Sequence, residues 1–229
     1  MRKKILILVV LAAFLAANHS YAAPTYGTDV LNRGKYASGY QNNIIFKHDL
    51  NDSNGNIKSA QDYYDLSYGV YDWLTVDGKI GLGDLRRKGG IHPKVDYNYG
   101  FAGGYGFRIR PWHNEKYKAR VVLGFHHISV HPQDRILNND KYKTIYDDWQ
   151  ASLLGSKEIG PVNPFIGVKL SLGDYIYKVN DIDRKRKTSE TFVGLVFGAS
   201  VKLSKEIYVR VESHFFDENA LSTGVYYTF

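Results

Sequence analysis

The stretch GFHHISVHP holds His126, His127, Ser129 and His131, and two carboxylates, Asp147 and Asp148, follow in DDWQ. If the segments on either side fold back as a hairpin turning near residue 137, His126 comes opposite Asp148 and His127 opposite Asp147, near the outer rim. A histidine oriented by a carboxylate is the base half of many hydrolytic sites. The plainer reading of the same residues is a set of hydrogen-bonded surface neighbours, so no catalytic residue is assigned. Nor do the histidines and carboxylates have the spacing of a metal site. The glycines of GFAGGYG do not stand between a strand and a helix, as a phosphate-cradling loop requires. Neither a metal nor another cofactor is expected.

The elements that must position these groups have the period of a β-strand, in which successive side chains point to opposite faces. In VDYNYGFAGGYGFRIR, Val95, Tyr97, Tyr99, Phe101, Tyr105, Phe107 and Ile109 alternate with Asp96, Asn98, Gly100, Ala102, Gly104, Gly106, Arg108 and Arg110. EIYVRVESHFF and FVGLVFGASVKL repeat the plan. Bounded by turn residues, ten such segments are expected near 36–48, 62–70, 74–84, 94–110, 117–130, 144–158, 164–179, 190–203, 206–216 and 220–229.

The compartment follows from the first residues. Arg2, Lys3 and Lys4 precede an apolar run, Ile5 to Ala17, and small residues at Ser20, Ala22 and Ala23 follow it. This is the pattern of a secretory signal peptide cleaved after Ala22 or Ala23, leaving residues 1–22 as signal and 23–229 as a single domain. The run is shorter than the roughly 20 apolar residues of a membrane-spanning helix, and none as long follows it. That leaves a soluble exported protein or a β-barrel. Removing the signal lowers the formal charge from +7 to +4, too small an excess to argue for nucleic acid. With no cysteine, disulfides, thiolate metal sites and a catalytic thiol are excluded.

The face opposite the apolar one is heavy with Gly, Ala and Ser and carries isolated charges, which suits a narrow lumen packed from opposite walls. That lumen face collects Asp65, Asp77, Lys79, Asp96, Arg108, Arg110, Arg120, Lys169, Lys202, Arg210, Glu212 and His214. These either pair and fill the bore or line a selective pore. Tyr97, Trp149 and Tyr227 fall where aromatic girdles of a membrane barrel would lie. Connections alternate between long (50–60, 85–93, 131–143, 180–190) and short, with the short DEN after the ninth strand as an exception. Two long ones are basic, with Arg86, Arg87 and Lys88 in one and Arg184, Lys185, Arg186 and Lys187 in the other. Outside a membrane they would be solvated loops or would meet lipopolysaccharide phosphates.

The terminal STGVYYTF, with Leu221, Thr223, Val225, Tyr227 and Phe229 on one face, resembles the C-terminal signature of bacterial outer-membrane β-barrels. YGVYDWLTVDGKIGLGD is similar to a hairpin of small barrels in the porin-like superfamily. The resemblance implies an all-β fold: a transmembrane antiparallel up-and-down barrel of about ten strands, with eight or twelve as neighbouring even counts. It also implies an outer-membrane location among lipid and lipopolysaccharide, and a last strand read by the barrel-insertion machinery. The expected role is porin-like, with a narrow or closed lumen for ions or small solutes, or a structural role in the envelope. The alternatives are a surface hydrolase with a rim His/Asp site, as in the omptin proteases, and an adhesin or lipopolysaccharide-binding barrel acting through its basic loops. His127, Ser129 and His131 depart from the His-x-Ser-Asn pattern of lipid A deacylases, because Val130 follows Ser129.

Overall fold

A strand that alternates along its whole length needs a partner on each edge, and only closure of the sheet removes the last unpaired edges. In the computed structural model, which describes residues 26–51, 55–89 and 94–229, the chain does this with strands alone. The signal peptide expected over residues 1–22 lies outside the described residues. The strands are β1 Tyr36–Asp49, β2 Asn56–Tyr71, β3 Leu74–Lys88, β4 Val95–Asn114, β5 Ala119–Gln133, β6 Arg135–Leu137, β7 Asp140–Lys157, β8 Val162–Val179, β9 Ile182–Thr188, β10 Val193–Lys202, β11 Ile207–Phe215 and β12 Asn219–Thr228. All of them except β6 and β9 form a closed antiparallel barrel of ten strands. The ring closes where β1 pairs β12, from Ala37↔Thr228 to Lys47↔Asn219. At its near end, Tyr36 N–H donates to the Phe229 carbonyl at 3.0 Å and Phe229 N–H to the Tyr36 carbonyl at 2.9 Å.

The far end is built differently. β9 pairs β8 from Val179↔Ile182 to Asp174↔Thr188, directly above β10. On its other side the chain meets β1: Asn51 N–H donates to the Thr188 carbonyl and Glu190 N–H to the Asp49 carbonyl, both at 3.0 Å. The β11–β12 hairpin is thus a wedge between β10 and β1, and above it the ring closes with eight strands instead of ten. This explains the short DEN connection, since the hairpin stops where β9 takes over. The segments expected as long connections are largely strand: 85–88 belongs to β3, 131–133 to β5, 135–137 to β6 and 182–188 to β9.

Polarity also changes along the barrel axis. Around the ten-stranded part, aliphatic side chains point out: Ile166, Val168, Leu170 and Leu172 of β8 are each between 48% and 60% exposed. The intervening Lys169 and Ser171 are fully buried. Such a wall, greasy outside and charged within, is built for lipid and spans a membrane. At the far end the order reverses. Leu50, Ile57, Leu85, Val95, Tyr97, Tyr175 and Tyr177 are buried inside, while Arg86 and Asp96 face water. A register shift between Asn98 and Phe101 in the β4–β5 pair lies at this switch. Below it, Phe101, Tyr105 and Phe107 point out. Above it, the same odd-numbered series points in.

Two expectations are corrected by that bulge. Asp96 is on the outer wall, paired with Lys94 at 2.9 Å, and does not line the lumen. Tyr97 is 3% exposed inside the barrel and is no part of a girdle, whereas Trp149 and Tyr227 are exposed on the outer wall. Phe229 adds stacking on Tyr36, with centroids 5.8 Å apart, to its two closing hydrogen bonds. Deleting Phe229 is expected to lower stability by about 2 kcal/mol in a urea titration of the refolded protein, while the unboiled sample still migrates as a compact band.

Candidate functional site: a filled bore

Alternation puts every second residue of ten strands into one narrow space, and three layers fill it. At the near end the chain preceding β1 enters the bore. Arg108 holds this segment, donating to the Tyr26 carbonyl at 3.0 Å and the Asp29 carbonyl at 2.5 Å. The rest of its guanidinium binds Asp77 at 2.9 and 2.6 Å. The Tyr26 ring stacks on His126 at 4.2 Å and lies under the Lys79 ammonium at 3.9 Å. Thr28 donates to Ser156 at 2.8 Å, and Ser200 donates to Asp29. Gly69 permits the close pass of this segment over β2: a Cβ there would lie 2.1 Å from the Asn32 carbonyl oxygen.

The middle layer is ionic and sits beneath the apex of the wedge hairpin. Lys169 meets Asp217 at 3.0 Å and Glu218 at shorter range. His48 Nδ1 lies 3.3 Å from Glu218, and His214 Nε2 lies 3.7 Å from Glu212. Asp148 accepts from Ser171 at 2.7 Å and from Gln150 at 2.5 Å. Lower on the same walls, Asp65 accepts from the Tyr226 hydroxyl at 3.1 Å, and the Arg210 guanidinium covers the Tyr226 ring at 4.4 Å. The top layer is aromatic, with Tyr97 and Tyr175 hydroxyls 3.3 Å apart and Arg87 over Tyr175 and Tyr177 at 5.4 Å from each centroid.

Of the residues expected to line the lumen, Asp65, Asp77, Lys79, Arg108, Lys169, Arg210, Glu212 and His214 therefore point into the bore. Arg120 sits at its near mouth against Glu158. Arg110 and Lys202 do not line it: they lie at the near rim, where strand ends splay into water. Arg110 donates to the Asp72 carbonyl at 2.5 Å, and Lys202 is 3.5 Å from Glu158 with its side chain 56% exposed. The plug residues Tyr26, Thr28 and Asp29 have no strand period to announce them. Asp217 and Glu218 lie in a short polar turn, which reads as solvated until the wedge buries it, and His48 on β1 meets Glu218 only once that turn folds in.

The His/Asp pairs expected across the β5–β7 hairpin do not form. The register is two residues away, with His126↔Gln150, His127↔Trp149, Ile128↔Asp148 and Ser129↔Asp147. His126 is 1% exposed in the bore, 3.7 Å from Asp77, and Asp148 belongs to the ionic layer. His127 is on the outer wall, stacked on Trp149 at 3.9 Å, and Asp147 bonds Ser129.

Of the two basic runs, Arg87 is 2% exposed inside the barrel and is lost to any surface role, while Arg86 and Lys88 are exposed. Arg184, Lys185, Arg186 and Lys187 lie on β9, a strand and not a loop, and the first three are exposed. Arg184 borders a far-rim groove of about 420 Å³ that Lys143, Lys178 and Asp181 also line. There the Lys143 ammonium, bonded to Asp181 at 2.6 Å, holds that carboxyl below its ordinary range.

Lys169 is the group on which the ionic layer turns, because removing one member of a buried pair strands the other charge. Lys169→Met is expected to cost about 3–5 kcal/mol in urea unfolding. Adding Glu218→Gln to it should recover part of that loss in a double-mutant cycle.

No protein-family model matches the chain, and no curated protein matches it in sequence. Among solved structures it is similar to the transport unit of the autotransporter AIDA-I from Escherichia coli, at 14% identity and a TM-score of 0.44 over 96% of this chain and 97% of that one. It is similar to an outer membrane channel from Pseudomonas putida F1, at 13% identity and 0.43 over 91% and 100%. It is also similar to the outer membrane protease OmpT from Escherichia coli, at 11% identity and 0.42 over 90% and 100%. The architecture is read from the chain itself: a closed ten-stranded antiparallel barrel, aliphatic outside and charged within, is that of an outer-membrane β-barrel.

Proposed function

We propose that the protein is an integral outer-membrane barrel with a sealed bore, a wall and scaffold element and not an open porin. An export signal at residues 1–22 and the terminal face of Leu221, Thr223, Val225, Tyr227 and Phe229 fit delivery to that membrane by the barrel-insertion machinery. The observation that carries the reading is Arg108, which ties Asp77 of the wall to the carbonyls of Tyr26 and Asp29 across the near half of the bore. Above it the ionic and aromatic layers occupy the same path. Ten strands enclose little more space than the eight that side chains alone fill. A hydrolase at a His126/Asp148 rim pair has no support, since both side chains are buried in the barrel.

A second role follows from β9. Its exposed Arg184, Lys185 and Arg186, beside the far-rim groove, suit anionic lipid phosphates, which arginine grips with paired N–H donors. Replacing Arg184 and Lys185 by glutamine is expected to weaken retention of lipopolysaccharide by the purified barrel, most visibly at low salt. In planar-bilayer recording, the refolded full chain is expected to give no discrete conductance steps at any voltage. Steady single-channel steps from the compact form would end the sealed-bore reading.

A further inference from the structure

Outside the bore, one cluster has chemistry that a sealed barrel does not use. On the outer wall, Ser129 Oγ lies 2.8 Å from His131 Nε2 and donates to Asp147 Oδ1. Strand geometry produces the cluster: residues 129 and 131 share one face of β5, and Asp147 of β7 is the direct partner of Ser129. On the other flank Ser129 faces Gly103 of β4, which puts no side chain of its own beside the hydroxyl. His131 is exposed, and Ser129 and Asp147 are half-buried.

The depth of the cluster is as informative as its composition. Asp147 lies two residues beyond the exposed Trp149 on the same face, about 6–7 Å along the strand. Its partner Asp174 lies two beyond Leu172, the last of the exposed aliphatic row on β8. Ser129 therefore stands in the first polar row above the aliphatic belt. Tryptophan rings sit at headgroup level, so this is the height at which acyl chains join their headgroups.

We propose that Ser129 is a nucleophile towards carboxylic esters of an outer-leaflet amphiphile, with His131 as its base, an activity that rests on the membrane-barrel reading and extends it. With its proton turned from Asp147 to His131, Ser129 Oγ bonds to the ester carbonyl carbon and that proton passes to His131 Nε2. The bond from that carbon to the alkoxy oxygen breaks, and the leaving alcohol takes the proton from His131. A water then gives its proton to His131 and attacks the acyl-serine, which releases the fatty acid and returns the proton to Ser129. Asp147 lies beside the same oxygen. It touches the serine and not the histidine, so it does not orient the ring as a relay carboxylate does.

The test uses the refolded full chain, with compact migration of the unboiled sample as the check on folding. A serine-reactive fluorophosphonate is expected to label the wild-type protein, to fail on Ser129→Ala, and to label His131→Asn at least tenfold more slowly. Fatty-acid release is then followed from vesicles of glycerophospholipid alone and from vesicles carrying lipopolysaccharide, which separates the two ester sources. Release from either that disappears in Ser129→Ala supports the proposal. An unlabelled wild type, labelling that survives Ser129→Ala, or no release from either vesicle overturns it. Each of those results leaves the sealed bore standing, because neither Ser129 nor His131 lines it.

Discussion

Inside a bilayer no water is present to take up an unpaired peptide N–H or C=O, and each left open costs several kcal/mol. That constraint sets the rest of this structure. It forces β12 back onto β1, and it joins Tyr36 to Phe229 by two hydrogen bonds at the seam. Where the short β11–β12 hairpin ends, β8 and β1 would each lose a neighbour, and β9 supplies one to both.

Closure leaves a narrow interior lined by charged and polar groups, so side chains have to satisfy one another there. Arg108 with Asp77, and Lys169 with Asp217 and Glu218, do this with charge. Each pair loses hydration on burial, and the loss is offset only when good geometry and further hydrogen bonds accompany the attraction. Arg108 meets that condition with two backbone carbonyls of the entering segment, which makes filling the bore and satisfying its charges one event. Beyond the membrane the outside becomes water, and the interior can be apolar again. Tyr97, Tyr175 and Tyr177 take the place of ions there, with Arg87 laid over two of the rings.

The outer wall follows the same rule at finer scale. Leu172 and Trp149 end the exposed apolar rows of β8 and β7, and the next residues on the same face toward the far end, Asp174 and Asp147, are polar. Polar groups are brought together at that edge of the apolar rows, Ser129 and His131 among them.

By itself the sequence determined the period of every membrane strand, the number of strands in the ring and the inside-out wall, because those depend on local alternation and on lipid as solvent. It also carried most of the charges that point into the bore, since parity along a strand is a local property. It did not determine register: a two-residue difference in the β5–β7 pairing separates His126 from Asp148 and puts Ser129 against Asp147. Nor could it show that a bulge turns Asp96 outward and Tyr97 inward, since alternation runs through residues 95–109 without a visible break. The segment Tyr26–Leu31, the polar turn after β11 and the basic run on β9 took their places only in the closed barrel. Each is held by groups distant in sequence, and no local pattern encodes such contacts.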